Sequence, residues 1–161
     1  MAAENAPVLV AYDGSELSKT ALRQAASLFA GRPAIVATVW EPGLATIPVG
    51  GPDTFGEGAI PPDPETVAAV DDAQHEHAAR IAREGAELAG SLGLAGEPHD
   101  VPDELDVADT LLELARERNA AVVVIGSHGV SGLRSHLVGS VARKLLAHCD
   151  RPVLVVRADR G

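Results

Sequence analysis

The sequence predicts an α/β fold, a parallel sheet with helices on both faces, and three observations predict it. Short apolar runs alternate with segments of helical period along the chain, the pattern of repeated strand-helix-strand crossovers. The run AVVVI, Ala121 to Ile125, is apolar without interruption, as in a strand buried on both sides. That strand empties into GSHGVSGLRSHLVGS, a glycine-rich stretch leading to a helix start, where a backbone makes room for a phosphate.

Val8 to Tyr12 forms the first strand and stops at Asp13-Gly14-Ser15. Ser15 to Phe29 follows as a helix with Leu22, Ala25, Ala26 and Phe29 on one face, closed by Gly31. Ala34 to Trp40 (AIVATVW) is rich in β-branched residues and ends at Glu41-Pro42-Gly43. From Pro42 to Pro64 the chain spends six of its 11 prolines and five of its 16 glycines. Neither a helix nor a central strand survives that composition, so this stretch reads as a long loop.

From Glu65 the helical period returns. Val67, Val70, Ala78, Ile81, Leu88 and Leu92 mark a long amphipathic helix ending near Gly93. Glu97 to Val101, EPHDV, is the weakest element: a third strand belongs here, and its proline restricts it to a sheet edge. Asp106 to Arg118 is a helix with acids in its first turn and arginines in its last, as the helix dipole favours. After Ala121 to Ile125 and the glycine loop, Ser140 to His148 is helical, and Val153 to Val156 is the last strand.

At 161 residues the chain is most simply one domain, spanning 1–161 with the 42–64 loop as an insertion. Only 2% of its residues are aromatic, so its core is built from aliphatic side chains and alanine. Twenty-three acidic against 13 basic residues give a net charge of −10, which repels nucleic-acid phosphates and anionic membranes. Neither is expected as a partner. A single cysteine, Cys149, permits no internal disulfide and suits a reducing compartment. With no basic leader and no run near the ~20 apolar residues of a membrane span, the expected location is the cytoplasm.

In an open parallel sheet, ligands bind beyond the carboxyl ends of the strands, where strand order reverses. Two such ends carry chemistry here. The first strand delivers Asp13, and the fourth delivers Gly126, Ser127 and Gly129. Glycines let a ligand approach the backbone, and Gly139, Ser140 and Val141 open a helix whose free amides suit an oxyanion. Asp13 suits ribose hydroxyls and repels phosphates, which places it at the sugar end; its Asp-Gly-Ser setting also suits a helix cap. Arg134 lies within the nine-residue span before Gly139 and suits either phosphate or an exposed, partner-facing position. His128 is a contact or bystander rather than a catalyst. Three alternatives to this site are disfavoured. A Walker loop needs a lysine directly before the hydroxyl residue, and Gly126, Gly129 and Gly132 do not read GxGxxG. Asp71, His75 and His77 suggest a metal only weakly, since His77 points away from the other two on a helix.

The spacing Gly126-x2-Gly129-x9-Gly139-Ser140, followed by Val141 and a terminal PVLVVR, resembles the signature of the universal stress protein family. The opening VLVAYDGSELSKTAL and the second strand's TVWEP are similar as well, so the likeness spans nearly the whole chain outside 42–64. It implies a Rossmann-like, five-stranded sheet of order 3-2-1-4-5, as in the adenine nucleotide alpha hydrolases. It implies a homodimer paired through the last strand, Pro152 to Arg157. By the same resemblance ATP is the expected ligand, with Asp13 at the ribose and the Val39 backbone at the adenine. Gly126, Ser127, Gly129, Gly139, Ser140 and Val141 would surround the phosphates, and Mg²⁺ would come only with them. Cyclic AMP is the alternative ligand. The expected role is a regulatory, stress-responsive binding module with an unidentified protein partner and at most slow ATP hydrolysis. A nucleotide-free interaction protein is the second class. A nucleotidyltransferase is a third, disfavoured because AYDGSEL stands where such enzymes carry HxGH.

Overall fold

The computed structural model describes residues 5–42, 63–103, 106–129 and 138–158. Nine elements follow in strict alternation: β1 (Val8–Ala11), α1 (Glu16–Leu28), β2 (Pro33–Trp40), α2 (Pro64–Ser91), β3 (Ala95–Pro102), α3 (Val107–Glu117), β4 (Val122–Gly126), α4 (Ser140–His148) and β5 (Val153–Val156). All strand pairs are parallel, in the order β3-β2-β1-β4-β5. The expected sheet order is therefore the observed one. From β1 the chain builds outward through β2 to β3, then crosses back to lay β4 on the other side of β1. The reversal lies between β1 and β4.

Strand alternation sorts the core into two layers. Val8 and Val10 face α1 and α2 together with Leu22, Ala25, Val36, Ala89 and Val124. Leu9 faces the opposite side with Ile35, Leu111, Val123, Ile125 and Leu145, under α3 and α4. Val8, Leu9 and Val10 are all fully buried, so β1 is covered on both faces. Each such aliphatic side chain contributes about 1.5–3 kcal/mol of transfer free energy, which is why the central strands read as unbroken apolar runs.

Two elements depart from the sequence reading. The buried stripe of α2 consists of Ala78, Ala82, Gly85, Ala86 and Ala89, whereas Val67 and Val70, nearer its start, are only partly buried. Small residues let this helix approach β2 and β3 closely: a Cβ on Gly85 would come within 2.7 Å of Val36 Cγ1, and one on Gly96 within 2.6 Å of the Ala86 carbonyl. The edge strand β3 runs over eight residues, beyond EPHDV at both ends, paired with β2 from Pro33↔Ala95 to Trp40↔Pro102. Backbone pairing and the cover of α2 sustain it despite polar side chains. Pro98 sits on this edge strand, as its missing N–H requires. The 42–64 loop lies almost wholly outside the described residues.

Candidate functional site

The turn after β1 sets the first wall. Gly14 has φ +79°, a left-handed conformation that side chains rarely adopt. Its turn is closed by Asp13, whose Oδ1 accepts a hydrogen bond from the Ser15 amide at 3.0 Å. Ser15 itself caps α1, its Oγ accepting from the Ser18 amide at 3.1 Å. The cap is therefore Ser15, and Asp13 serves the turn while presenting its other oxygen to the opposite wall. Behind it, burial raises the Tyr12 hydroxyl above its ordinary pKa range.

The second wall begins where β4 ends. Ser127 donates its amide to Val156 O at 2.7 Å, which ties the loop to β5. The Gly139 amide donates back to Ser127 O at 2.6 Å, folding the start of α4 against the end of β4. A Cβ on Gly139 would stand 3.1 Å from that carbonyl, and one on Gly129 3.2 Å from Asp13 Oδ2. Close approach, not unusual backbone torsion, favours glycine at these two positions. Ser127 Oγ and His128 Nδ1 are 3.1 Å apart within the loop.

The walls enclose a crevice of about 690 Å³ at the carboxyl ends of β1 and β4. That is the size class of small-molecule sites, at the place where strand order reverses. Eight of the nine residues singled out from sequence line it: Asp13, Val39, Gly126, Ser127, Gly129, Gly139, Ser140 and Val141. The ninth, Arg134, lies outside the described residues. Val107, Leu111 and Ile125 supply apolar lining from α3 and β4. Gly139 occupies the N-cap of α4 without a side-chain cap bond, and the first amides of that helix have no acceptor within it.

Sequence reasoning missed Tyr12, Glu41 and Arg143, which also line the crevice. Tyr12 and Glu41 adjoin Asp13 and the second strand's end, and Arg143 stands four residues after Gly139, one helical turn on. That spacing was the available signal. The adjacent Lys144 is engaged elsewhere, by Asp106 and by Asp109 Oδ2 at 2.8 Å. His75 also has another role: its Nε2 lies 2.7 Å from Asp100 Oδ2, and its ring stacks on Trp40 at 5.2 Å.

Residues 4–157 match the family model described as the universal stress protein family. The chain belongs to that family. Universal stress protein YxiE of Bacillus subtilis is 30% identical over 93% of this chain and 97% of its own length. Among solved structures, that of hypothetical protein MJ0577 superposes with a TM-score of 0.74 at 18% identity, covering 97% of this chain and 98% of that one. A universal stress protein in complex with cAMP aligns with a TM-score of 0.63 at 24% identity, over 96% and 98% of the two chains. The Archaeoglobus fulgidus universal stress protein in complex with dAMP aligns at 0.60 and 24% identity, over 93% and 96%. No helix among the described residues is long and apolar enough to cross a membrane.

Proposed function

We propose that this universal stress protein holds ATP in the β1/β4 crevice and uses its nucleotide state to set its conformation or its choice of protein partner. The observation that carries the reading is the meeting of Asp13 with the Gly126, Gly129 and Gly139 wall in one crevice. A carboxylate suits ribose hydroxyls. Exposed backbone amides and a helix N-terminus suit phosphates. The apolar side chains of Val39, Val107 and Leu111 suit the faces of a purine. Glycine at 129 lets the Asp13 carboxylate close in, and glycine at 139 does the same for the Ser127 carbonyl, which draws the two walls of the crevice together. The family relation and the dAMP and cAMP complexes of matched structures support a nucleotide as the ligand.

Binding, not turnover, is the proposed activity. Among the described residues the crevice offers His128 beside Ser127 but no lysine and no pair of carboxylates in contact. Any Mg²⁺ would arrive on the nucleotide, held mainly by phosphate oxygens. Cyclic AMP is the second reading, favoured by the matched cAMP complex. The protein is further proposed to work in the cytoplasm as a homodimer paired through Pro152 to Arg157, since among the described residues β5 ends the sheet with one edge unpaired.

Isothermal titration of the full chain with ATP and with cyclic AMP tests the assignment. Saturable ATP binding that Asp13→Ala weakens is the expected result. No binding of either nucleotide would overturn it, and binding of cyclic AMP alone would replace the first reading with the second. Sedimentation equilibrium reads the assembly state, and a monomer at all concentrations would exclude the homodimer.

A further inference from the structure

Resting on that nucleotide reading, we infer that Arg143 is a phosphate-chain selector, which makes the crevice prefer nucleoside di- and triphosphates to monophosphates and cyclic monophosphates. Arg143 follows the Gly139 N-cap by one turn of α4, and its amide donates to Gly139 O at 3.0 Å. Side chains on a helix lean toward its N-terminus, which for Arg143 is the turn where phosphates would gather. It lines the crevice.

The charge pattern separates Arg143 from its neighbour. Lys144 is neutralised by two carboxylates from the start of α3, Asp106 and Asp109. Arg143 has no ion pair among the described residues, and it is the only lysine or arginine lining the crevice among them. Asp13 and Glu41 line the crevice at the ends of β1 and β2. In a chain of net charge −10, the crevice is lined by two acids, Asp13 and Glu41, and by Arg143, which has no ion-pair partner among the described residues and stands one turn into α4. A ribose with one phosphate is served by Asp13 and the first amides of α4. A longer phosphate chain running past Gly139 meets Arg143, whose planar fork takes two phosphate oxygens at once.

Titration of wild type and Arg143→Gln with ATP, ADP, AMP and cyclic AMP, in magnesium-free buffer at low and high salt, tests the inference. Wild type is expected to bind ATP about tenfold more tightly than AMP, and the substitution to cost ATP about tenfold but AMP less than about twofold. Preserved AMP affinity shows that the variant is folded. Wild-type ATP affinity should also fall more steeply with salt than that of the variant. Equal losses for ATP and AMP, or none for ATP, would overturn the selector while leaving nucleotide binding intact. Absence of all binding in wild type would instead remove the reading on which it rests.

Discussion

Asp13 Oδ2 stands 3.2 Å from the point that a Cβ on Gly129 would occupy, so the carboxylate at the end of β1 and the glycine after β4 meet where the two walls of the crevice come together. Gly129→Ala forces the carboxylate aside by a few tenths of an ångström. Asp13 is held from its other oxygen by the Ser15 amide, so the displacement falls on the oxygen that faces the site. The expected outcome is a loss of ATP affinity of about tenfold, the scale of one charge-assisted hydrogen bond. Thermal stability should barely change, because the contact is at a cleft surface. Calorimetric titration beside a melting curve checks both, and wild-type affinity in this variant would count against Asp13 as a nucleotide contact.

How far this site was legible from residues alone depended on what each residue's role requires. Glycine spacing marks close approach wherever the fold puts it, so Gly126, Gly129 and Gly139 could be read directly. Asp13 was ambiguous because Asp-Gly-Ser suits both a cap and a ligand contact, and only the hydrogen bond from Ser18 to Ser15 separates the two. Arg143 and Lys144 are adjacent cations that pattern cannot distinguish. Their difference is tertiary: Asp106 and Asp109, more than 30 residues away, neutralise one of them. The central strands were plain because burial on both faces demands unbroken apolar runs. The edge strand β3 was faint because β2 and α2 hold it through backbone and small residues, which leaves its side chains free to be polar.

Gly96 tests that account of the edge. Its added Cβ would lie 2.6 Å from the Ala86 carbonyl and 2.9 Å from Ala89 Cβ, so Gly96→Ala must separate α2 from β3. Backbone cannot rotate out of the way as a side-chain tip can. Overpacking of this kind costs about 1–3 kcal/mol. For a domain of this size the melting temperature should drop by roughly 2–4 °C per kcal/mol. Gly90→Ala on the same helix meets nothing within 4 Å and should be neutral or slightly stabilising. Equal melting temperatures for the two variants would contradict the close packing of α2 on the edge strand.

The Lys144 clamp gives an acid-limb signature. Its hydrogen bond from Lys144, followed by that from the Asp109 amide, holds the Asp106 carboxyl below the ordinary aspartate range. A depressed pKa stabilises the fold above the ordinary aspartate value and ceases to do so as pH falls through the lowered one. Lys144 is raised by the same partners, Asp106 first, so its share is complete below the ordinary lysine value and is lost only as pH rises through the raised one. Asp106→Asn keeps a capping side chain for α3 and removes the charge. The wild type should melt higher than this variant at neutral pH, and the gap should close below about pH 4. A gap that stays constant down to about pH 2 would mean that capping geometry, not charge, carries the effect.

Trp40 offers a direct optical reading of the crevice, because it is the chain's only tryptophan. It lies between Val39 and Glu41, both of which line the site. Its ring stacks on His75 at 5.2 Å and 19°, and His75 is held in turn by Asp100 at 2.7 Å. A purine seated against Val39 alters the surroundings of the next residue, so saturating ATP should change Trp40 emission with the same midpoint as the calorimetric titration. His75→Ala removes the stacked ring, and its emission should shift to longer wavelength as water gains access to the indole. Nucleotide affinity should stay near wild type, since His75 does not line the crevice. Heat of binding without any change in Trp40 emission would place the base away from the end of β2, and the apolar lining from α3 would then be its remaining seat.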